Sequence, residues 1–280
     1  MARLGEYRYG KSGVRLSRIV RHADRHEFNE WTVHILLYGE FEASFTEADN
    51  SKVLPTDTMK NTVYCVARGS KAATIEEFAM ELGDYLLGNN PQIAKLSVSI
   101  EEKSWQRIDV DGVPDASAFK LGGPELAIVS AERARGGAWK IASGVDGLVI
   151  LKTSKSAFTG YVQDKLTTLK PATDRIMGTR ATAQWDYAPA VADFAEARAR
   201  IVVALLREFA AHDSKSVQHT LFAMGKAALD AAPEIARVRL TMPNLHHLLT
   251  DLSHFGLDNP NYIFVPIDDP HGTIEATVER

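Results

Sequence analysis

The sequence contains little cysteine, no long hydrophobic run and no excess of basic residues. Cys65 is the only cysteine in 280 residues, which excludes an internal disulfide and favours a reducing compartment. The longest apolar run, IVVALL at 201–206, is far shorter than the roughly 20 residues that span a bilayer. A net charge of −4 leaves no basic surplus for nucleic acid. We therefore expect a cytoplasmic protein that binds neither nucleic acid nor membrane.

Motifs of common catalytic and phosphate-binding sites are missing or out of context. No G-x-S-x-G, H-E-x-x-H or C-x-x-C pattern is present, so serine hydrolases, zincins and dithiol enzymes have no support. A G-x-x-x-x-G-K-S pattern runs from Gly5 to Ser12, but a phosphate-binding loop needs a strand before it and a helix after it. Only four residues precede Gly5, and Val14 and Leu16 then alternate with polar residues, which predicts a strand.

Two further sets of reactive side chains have simple structural explanations. Cys65 falls within a predicted helix, where we expect it to pack as a small hydrophobe rather than act as a nucleophile. His246, His247 and His254 could be metal ligands, but adjacent residues of a strand point to opposite faces. No carboxylate or thiolate at ligand spacing completes the set. We therefore expect no metal site.

The hydrophobic pattern divides the chain into two similar halves, each of which reads strand, strand, helix, helix, strand, strand. Strands are expected near 5–20 and 30–46, and helices over about 57–69, 191–211 and 216–230. Thr74 and Glu77 form a capping-box pattern for a further helix. Val238, Leu240 and Met242 alternate with polar residues near the end. Such alternation predicts an α+β fold with antiparallel sheets, each covered by helices on one face.

Polar stretches flank several of these elements, and each has a simple explanation when taken alone. Thr56 and Asp57 are suited to cap a helix N-terminus, and Gln218 is suited to a first helical turn. Arg175 could form an ion pair on the wet face of a strand, and Phe158 could belong to the core.

Taken together and in order, these stretches are similar to the urate oxidase (uricase) family. The resemblance covers nearly the whole chain and is carried by YGKSGVR, PTDTMKNTVY, SAFTGYVQDKLTTLKPATDR, SVQHT, MPNLHH and DDPHGTIEATV. It implies two tandem tunnelling-fold modules, 1–136 and 137–280, each a four-stranded antiparallel sheet with two helices on one face. It also implies a homotetramer with active sites between subunits.

The resemblance implies a role for each site residue. Lys11, Thr56 and His246 correspond to the proton-relay set of the family, and a lysine held neutral by burial can act as a base. Substrate-binding roles fall on the matching positions: Phe158 stacks on the purine, Arg175 and Gln218 hold opposite edges, the backbone of Asp57 and Val217 completes the edge contacts, and Asn244 holds oxygen and then water.

The implied reaction is oxidation of urate by oxygen and water to 5-hydroxyisourate and hydrogen peroxide, without metal or organic cofactor. Two alternatives stay open: a purine- or pterin-binding module without turnover, and a zinc-dependent enzyme of the pterin type. The sequence ends in Val278-Glu279-Arg280 rather than a peroxisomal S-K-L address, and we therefore expect a bacterial, cytoplasmic enzyme.

Overall fold

The computed structural model of the chain describes residues 2–188, 191 and 193–280, and the chain divides into two compact units. The first unit comprises Met1–Gly144 and Asp186–Ala195, and the second comprises Val145–Trp185 and Glu196–Arg280. The predicted α+β class is confirmed, since both units combine helices with antiparallel strands.

Alternating apolar residues build the sheet of the first unit. Its strands are β1 (Tyr9–Arg21), β2 (His26–Gly39), β3 (Ile93–Val110) and β4 (Val113–Ala134). Each strand is antiparallel to the next in the order β1-β2-β3-β4. One face of β2 is fully buried through Trp31, Val33, Ile35 and Leu37, because alternate residues of a strand share a face.

Three helices follow β2 in the chain: α1 (Glu42–Thr46), α2 (Thr56–Gly69) and α3 (Ile75–Asn89). The core of the unit contains Met59 and Val63 of α2 and Phe78 and Leu82 of α3, at helical spacing. The predicted capping box is present, with the Thr74 side chain accepting from the N–H of Glu77. The predicted strand 30–46 was too long, because the chain leaves the sheet at Gly39 and residues 42–46 are helical.

The expected packing of Cys65 is wrong. Cys65 is exposed on α2, whose buried side chains are Met59, Val63 and Ala67. These three residues recur every four positions and define the inward stripe of the helix, and Cys65 lies off that stripe.

The remaining elements are β5 (Lys140–Lys152), β6 (Met177–Tyr187), α4 (Phe194–Ala211), α5 (Val217–Ala231), β7 (Ile235–Leu249), β8 (Phe264–Ile267) and β9 (Thr273–Glu279). A short 3-10 helix, Ser253–Phe255, precedes β8. The helix predicted from about residue 191 begins at Phe194, and position 192 lies outside the described residues. None of the described helices is long and apolar enough to span a membrane.

Strand β7 changes its antiparallel partner along its length. Its first half, from Arg237 to Pro243, pairs with β9, and its second half, from His246 to Leu249, pairs with β8. The predicted alternation is confirmed, since Val238, Leu240 and Met242 are fully buried. Strand β8 was not predicted, because its four residues include Pro266 and show no clear alternation. The change of partner falls at positions 244 and 245.

Candidate active site

Two glycines shape the segment of β1 that carries Lys11. A Cβ atom at Gly10 would collide with the backbone carbonyl oxygen of Ile35, so only glycine allows this close pairing with β2. Gly13 has φ of +70°, a left-handed conformation that glycine adopts without steric cost. Its N–H donates to His34 Nδ1 at 3.3 Å. These glycines therefore permit a distortion of strand β1. Because this strand continues to Arg21, no helix follows Lys11 and Ser12, and the phosphate-loop interpretation is excluded.

The distortion is a β-bulge, and it decides which face Lys11 occupies. Lys11 pairs with Ile35 and Val14 pairs with Val33, so the register shifts between Lys11 and Val14. In a regular strand, residues three positions apart would point to opposite faces. Because the bulge adds one residue, both side chains lie on the face that β2 buries against the helices. Lys11 is half-buried there.

The start of α2 is fastened to β1 two residues before Lys11. The N–H of Leu54 donates to Tyr9 Oη at 2.8 Å, and Tyr9 Oη donates to the Leu54 carbonyl oxygen at 3.2 Å. Pro55 occupies the N-cap position, with no side-chain cap, and Thr56 is the first residue of α2. The interpretation of Thr56 as an N-cap residue is therefore wrong, because Pro55 takes that position.

Asp57 lies in the first turn of α2, within electrostatic range of Lys11. Its Oδ1 accepts from Lys60 Nζ at 2.5 Å and its Oδ2 accepts from Asn61 Nδ2 at 3.1 Å. The pKa of Asp57 is lowered, chiefly by the hydrogen bond from Lys60, with a smaller contribution from the positive charge of Lys11. Lys11, Thr56 and Asp57 thus form one local group in the first unit.

Phe158 lies at the neck of a loop in the second unit. Its N–H donates to the Ala172 carbonyl oxygen at 2.7 Å, and the Ala172 N–H donates back to the Phe158 carbonyl oxygen at 3.0 Å. Its ring is stacked on Tyr161, with centroids 4.8 Å apart and an interplanar angle of 13°. The Tyr161 hydroxyl donates to the Leu169 carbonyl oxygen at 2.6 Å. Phe158 is half-buried rather than part of the core, and its ring is held in a defined plane.

Arg175 places its guanidinium beside that ring. Its Cζ is 5.1 Å from the centroid of Phe158, and its buried Nε has no hydrogen-bond partner. Burial lowers the pKa of Arg175. The backbone N–H groups of Ser156 and Arg175 both donate to Asp174 Oδ1 at 3.1 Å. A partly desolvated guanidinium next to an aromatic ring is suited to a flat anion that offers two acceptors.

The N-terminus of α5 lies next to the Phe158 segment. Ser156 and Ser214 form a parallel bridge, and the Ala157 N–H donates to the Ser214 carbonyl oxygen at 2.8 Å. Val217 is buried and Gln218 is exposed at the first two positions of α5. The first N–H groups of a helix have no intrahelical partner and point outward. Val217 and Gln218 therefore offer donors near the ring and guanidinium.

Asn244 and His246 lie on β7, where the strand changes its partner. The Asn244 N–H donates to the Gly272 carbonyl oxygen at 2.9 Å, and His246 pairs with Ile267 of β8. Two residues apart on a strand, Asn244 and His246 project to the same face. Strand β6 is the neighbour of β7, and a Cβ at Gly178 would come within 3.3 Å of Leu245 Cβ. Asn244 is thus close to the strand that follows Arg175.

The structure therefore gathers the sequence-predicted residues into two groups. Lys11, Thr56 and Asp57 lie in the first unit; the second unit carries Phe158, Arg175, Val217, Gln218, Asn244 and His246. Sequence reasoning missed Tyr161, although its three-residue separation from Phe158 was a visible signal. Among residues 2–188, 191 and 193–280, no group of three or more His, Cys, Asp and Glu side chains is arranged to hold a metal ion.

Comparisons with known proteins cover almost the whole chain. The sequence profile of the uricase family matches residues 7–131 and 141–275. A uricase from Arthrobacter globiformis is 39% identical over 278 residues, covering 99% of this chain and 90% of the relative. A uricase from Dictyostelium discoideum is 34% identical over 283 residues, covering 100% of this chain and 98% of the relative.

A solved structure gives the same answer for the fold. The crystal structure of the uricase from Arthrobacter globiformis superposes with a TM-score of 0.94 at 38% identity, covering 100% of this chain and 96% of that one. The fold is therefore the α+β uricase fold, with antiparallel strands and helices in the tandem tunnelling-fold arrangement. The chain belongs to the uricase family.

Proposed function

We propose that this chain oxidises urate with O₂ and water to 5-hydroxyisourate and hydrogen peroxide, using no metal or organic cofactor. Family membership over the full length supports the activity. The structural observation that carries the proposal is Arg175, whose buried and unpartnered Nε lies beside the ring of Phe158. That pair fits a planar, anionic purine.

The second unit supplies the binding half of the site. Phe158 stacks on the purine ring, held in its plane by Tyr161. Arg175 forms two hydrogen bonds with a carbonyl oxygen and an adjacent ring nitrogen. Gln218 and the N–H of Val217 hold the opposite edge from the start of α5. Since urate is an anion in neutral solution, a permanently charged guanidinium gives both orientation and affinity.

Lys11 and Thr56 of the first unit form the proton relay together with His246 of the second unit, and the backbone of Asp57 completes the edge contacts. Urate must lose a proton before its electron-rich ring gives two electrons to O₂, and Lys11 accepts that proton with Thr56 as a relay. Asn244 holds oxygen above the ring and afterwards the water that adds to it. The balance is urate, O₂ and water consumed, with 5-hydroxyisourate and hydrogen peroxide released.

In a homotetramer, the first-unit residues of one site come from one copy of the chain, and the second-unit residues, including His246, come from another. Modules 1–136 and 137–280 form the tandem unit, and Lys11 of one copy meets the purine-binding residues of a neighbour. This arrangement buries sheet faces that the helices leave uncovered. The single cysteine is consistent with a cytoplasmic enzyme.

The decisive experiment uses purified, chelator-treated protein incubated with urate. Loss of the near-ultraviolet band of urate, oxygen uptake and peroxide release are followed together, and equal amounts of urate and O₂ consumed support the proposal. Activity that appears only after zinc, iron or copper is added would overturn cofactor independence. Tight binding of urate without any turnover would instead establish the non-catalytic purine-binding alternative.

A further inference from the structure

Two histidines connect the end of α4 to the first turn of α5. His212 Nε2 lies 3.1 Å from His219 Nδ1, and the ring centroids are 4.3 Å apart at 65°. His212 directly follows α4, and His219 is the third residue of α5. Val217 and Gln218, which present donors to the purine in the proposed function, occupy the two positions before His219.

His212 is the fixed member of this pair. Its carbonyl oxygen accepts from Lys152 Nζ at 2.7 Å, and its Nδ1 lies 3.4 Å from Glu208 Oε1. The His212 side chain is 14% exposed. The backbone N–H of His219 donates to the Ser216 hydroxyl at 3.1 Å, which caps α5. The contact with His212 thus ties the capped first turn of α5 to a fixed point at the end of α4.

The loop closed by the two histidines also holds the aromatic ring. Residues 213–218 lie between them, and within this stretch the Ser214 carbonyl oxygen accepts from Ala157 while the Ser214 N–H donates to the Lys155 carbonyl oxygen at 2.9 Å. Phe158 directly follows Ala157. A change in the histidine contact would therefore move the Gln218 end of the site relative to the Phe158 end.

The contact tolerates only a limited number of protons. Two facing ring nitrogens attract each other when one carries a hydrogen and the other a lone pair. His212 Nδ1–H is directed at Glu208. If the pair gains one further proton, one of the two facing nitrogens still carries a hydrogen and the other a lone pair, so the contact persists. When both rings are fully protonated, two N–H groups and two positive charges face each other across 3.1 Å, and the contact breaks.

The charges around the pair favour the state with fewer protons. The pKa of His212 is lowered, first by burial and then by His219 and Lys152, while Glu208 acts in the opposite direction. Asp213 is paired with Lys215 at 2.6 Å, so its charge is largely compensated. These groups belong to α4, α5, the loop and the end of β5, which are the segments around the pair.

We propose that His212 and His219 are positioning residues that form a pH-sensitive latch for the purine edge at Val217 and Gln218. The latch is closed while the pair carries at most one extra proton and opens when both rings are protonated. Affinity for the purine therefore falls when the latch opens in acid, and opening of the latch does not itself change the chemical step. This inference rests on the proposed function for the identity of the bound purine.

Matched variants separate the latch from general structural damage. His219→Ala removes the contact, whereas the double variant His212→Gln with His219→Asn replaces it with an amide pair that does not titrate. His254→Asn is the control, since His254 is exposed in the 3-10 helix. For each protein, kcat and KM for urate and the Kd for xanthine, a purine without the C8 oxygen, are measured between pH 5.5 and 8.

We expect His219→Ala to raise KM and the Kd for xanthine about three- to tenfold at pH 7.5, the loss of one hydrogen bond, with kcat within about twofold of the wild type. The wild type should lose more affinity than the amide pair towards pH 5.5, because ionisation of the purine itself affects both proteins equally. Unchanged KM and Kd in His219→Ala, or an acid loss in the amide pair as large as that of the wild type, would overturn the latch.

Amide hydrogen exchange of His219 and Thr220, whose N–H groups donate to the hydroxyl and the carbonyl oxygen of Ser216, provides a readout that needs no activity. After correction for the intrinsic pH dependence of amide exchange, we expect faster exchange in the wild type at pH 5.5 than at pH 7.5. In His219→Ala, exchange should be fast at both pH 5.5 and pH 7.5. Equal protection in all variants would overturn the latch even if urate is oxidised. Conversely, absence of urate turnover and xanthine binding, together with the expected exchange pattern, would reject the proposed function while supporting the latch.

Discussion

The two groups of candidate residues are held in place in different ways. In the first unit, Lys11 and Thr56 lie on a strand and a helix, and a β-bulge sets the face of Lys11. In the second unit, Phe158 and Arg175 lie outside the long strands, fastened by backbone and carboxylate hydrogen bonds across loops. The first group is therefore positioned by regular secondary structure, and the second by hydrogen bonds that close loops.

The electrostatic surroundings of the two groups differ as well. Lys11 lies close enough to Asp57 to help lower the pKa of that carboxyl. For Arg175, burial alone lowers the pKa, and its Nε has no partner. A buried cation without a compensating carboxylate is suited to hold an anionic ligand.

The largest expected effect comes from the first unit. Lys11→Ala should lower kcat for urate by about 10²- to 10⁴-fold, the usual contribution of a general base, while the Kd for xanthine stays within a fewfold. Steady-state kinetics and calorimetry measure the two quantities. Lys52→Ala, which removes an exposed lysine paired with Glu40, is the control. High turnover in Lys11→Ala would remove this lysine from the proton relay.

In the second unit, Arg175→Ala should act on affinity instead. We expect the Kd for xanthine to rise about 30- to 100-fold, because two charge-assisted hydrogen bonds are lost. Arg175→Lys keeps the charge without the planar fork and should recover only part of the affinity. The control is Arg207→Ala, at an exposed position of α4. Wild-type affinity in Arg175→Ala would contradict the clamp.

Mixing the two inactive variants tests whether the groups meet across subunits. After exchange between equal amounts of Lys11→Ala and Arg175→Ala, random pairing leaves both groups intact in about one quarter of the sites. Activity should therefore recover to about a quarter of the wild-type value. Exchange is verified independently by mass spectrometry of mixed oligomers. Proven exchange without recovery would place both groups of each site in one chain.

The smallest expected effect concerns the stability of the first unit. Glu30 accepts from Lys103 at 2.7 Å, Arg15 at 2.9 Å and Trp105 at 3.1 Å. These hydrogen bonds lower the pKa of Glu30 from 4.5 to about 2, and the bond from Lys103 makes the largest contribution. Because the folded pKa is depressed, the stabilisation is complete above about pH 4.5 and is lost as pH falls towards 2.

Glu30→Gln should therefore lower the free energy of unfolding by about 1–2 kcal/mol at pH 7, and the difference from the wild type should shrink below pH 4.5. Urea unfolding at pH 7, 4.5 and 3 measures it, with Glu47→Gln at an exposed position as the control. A difference that is constant over this pH range would show that the carboxylate charge is not responsible.

Much of the fold could be predicted because local patterns and tertiary packing agree. Alternation identified the strand that contains Val238 and Met242, and the Thr74–Glu77 pattern identified the start of α3, since both depend on neighbours in sequence. The errors occurred where local signals were weak or misleading. Residues 42–46 were predicted as strand but form helix α1, and β8 was not predicted. Cys65 was predicted to pack as a hydrophobic residue, but its position on α2 leaves it exposed.

The ordered motifs identified the site residues, but they did not predict the surroundings of those residues. Nothing local in the sequence indicated the bulge that places Lys11 on the helix-covered face, since it depends on the pairing with Ile35. The stacking of Tyr161 on Phe158 depends on how the loop closes at Ala172. The contact of His212 with His219 depends on the turn between two helices.

By itself the sequence determined most of the strands and helices and the start of α3, because these follow from periodicity and residue type along the chain, and its ordered motifs indicated the family. Only the tertiary structure decided which side chains are half-buried, which buried polar atoms are left without partners and which histidines meet. Those properties arise from residues distant in sequence, and no local pattern contains the distances between them.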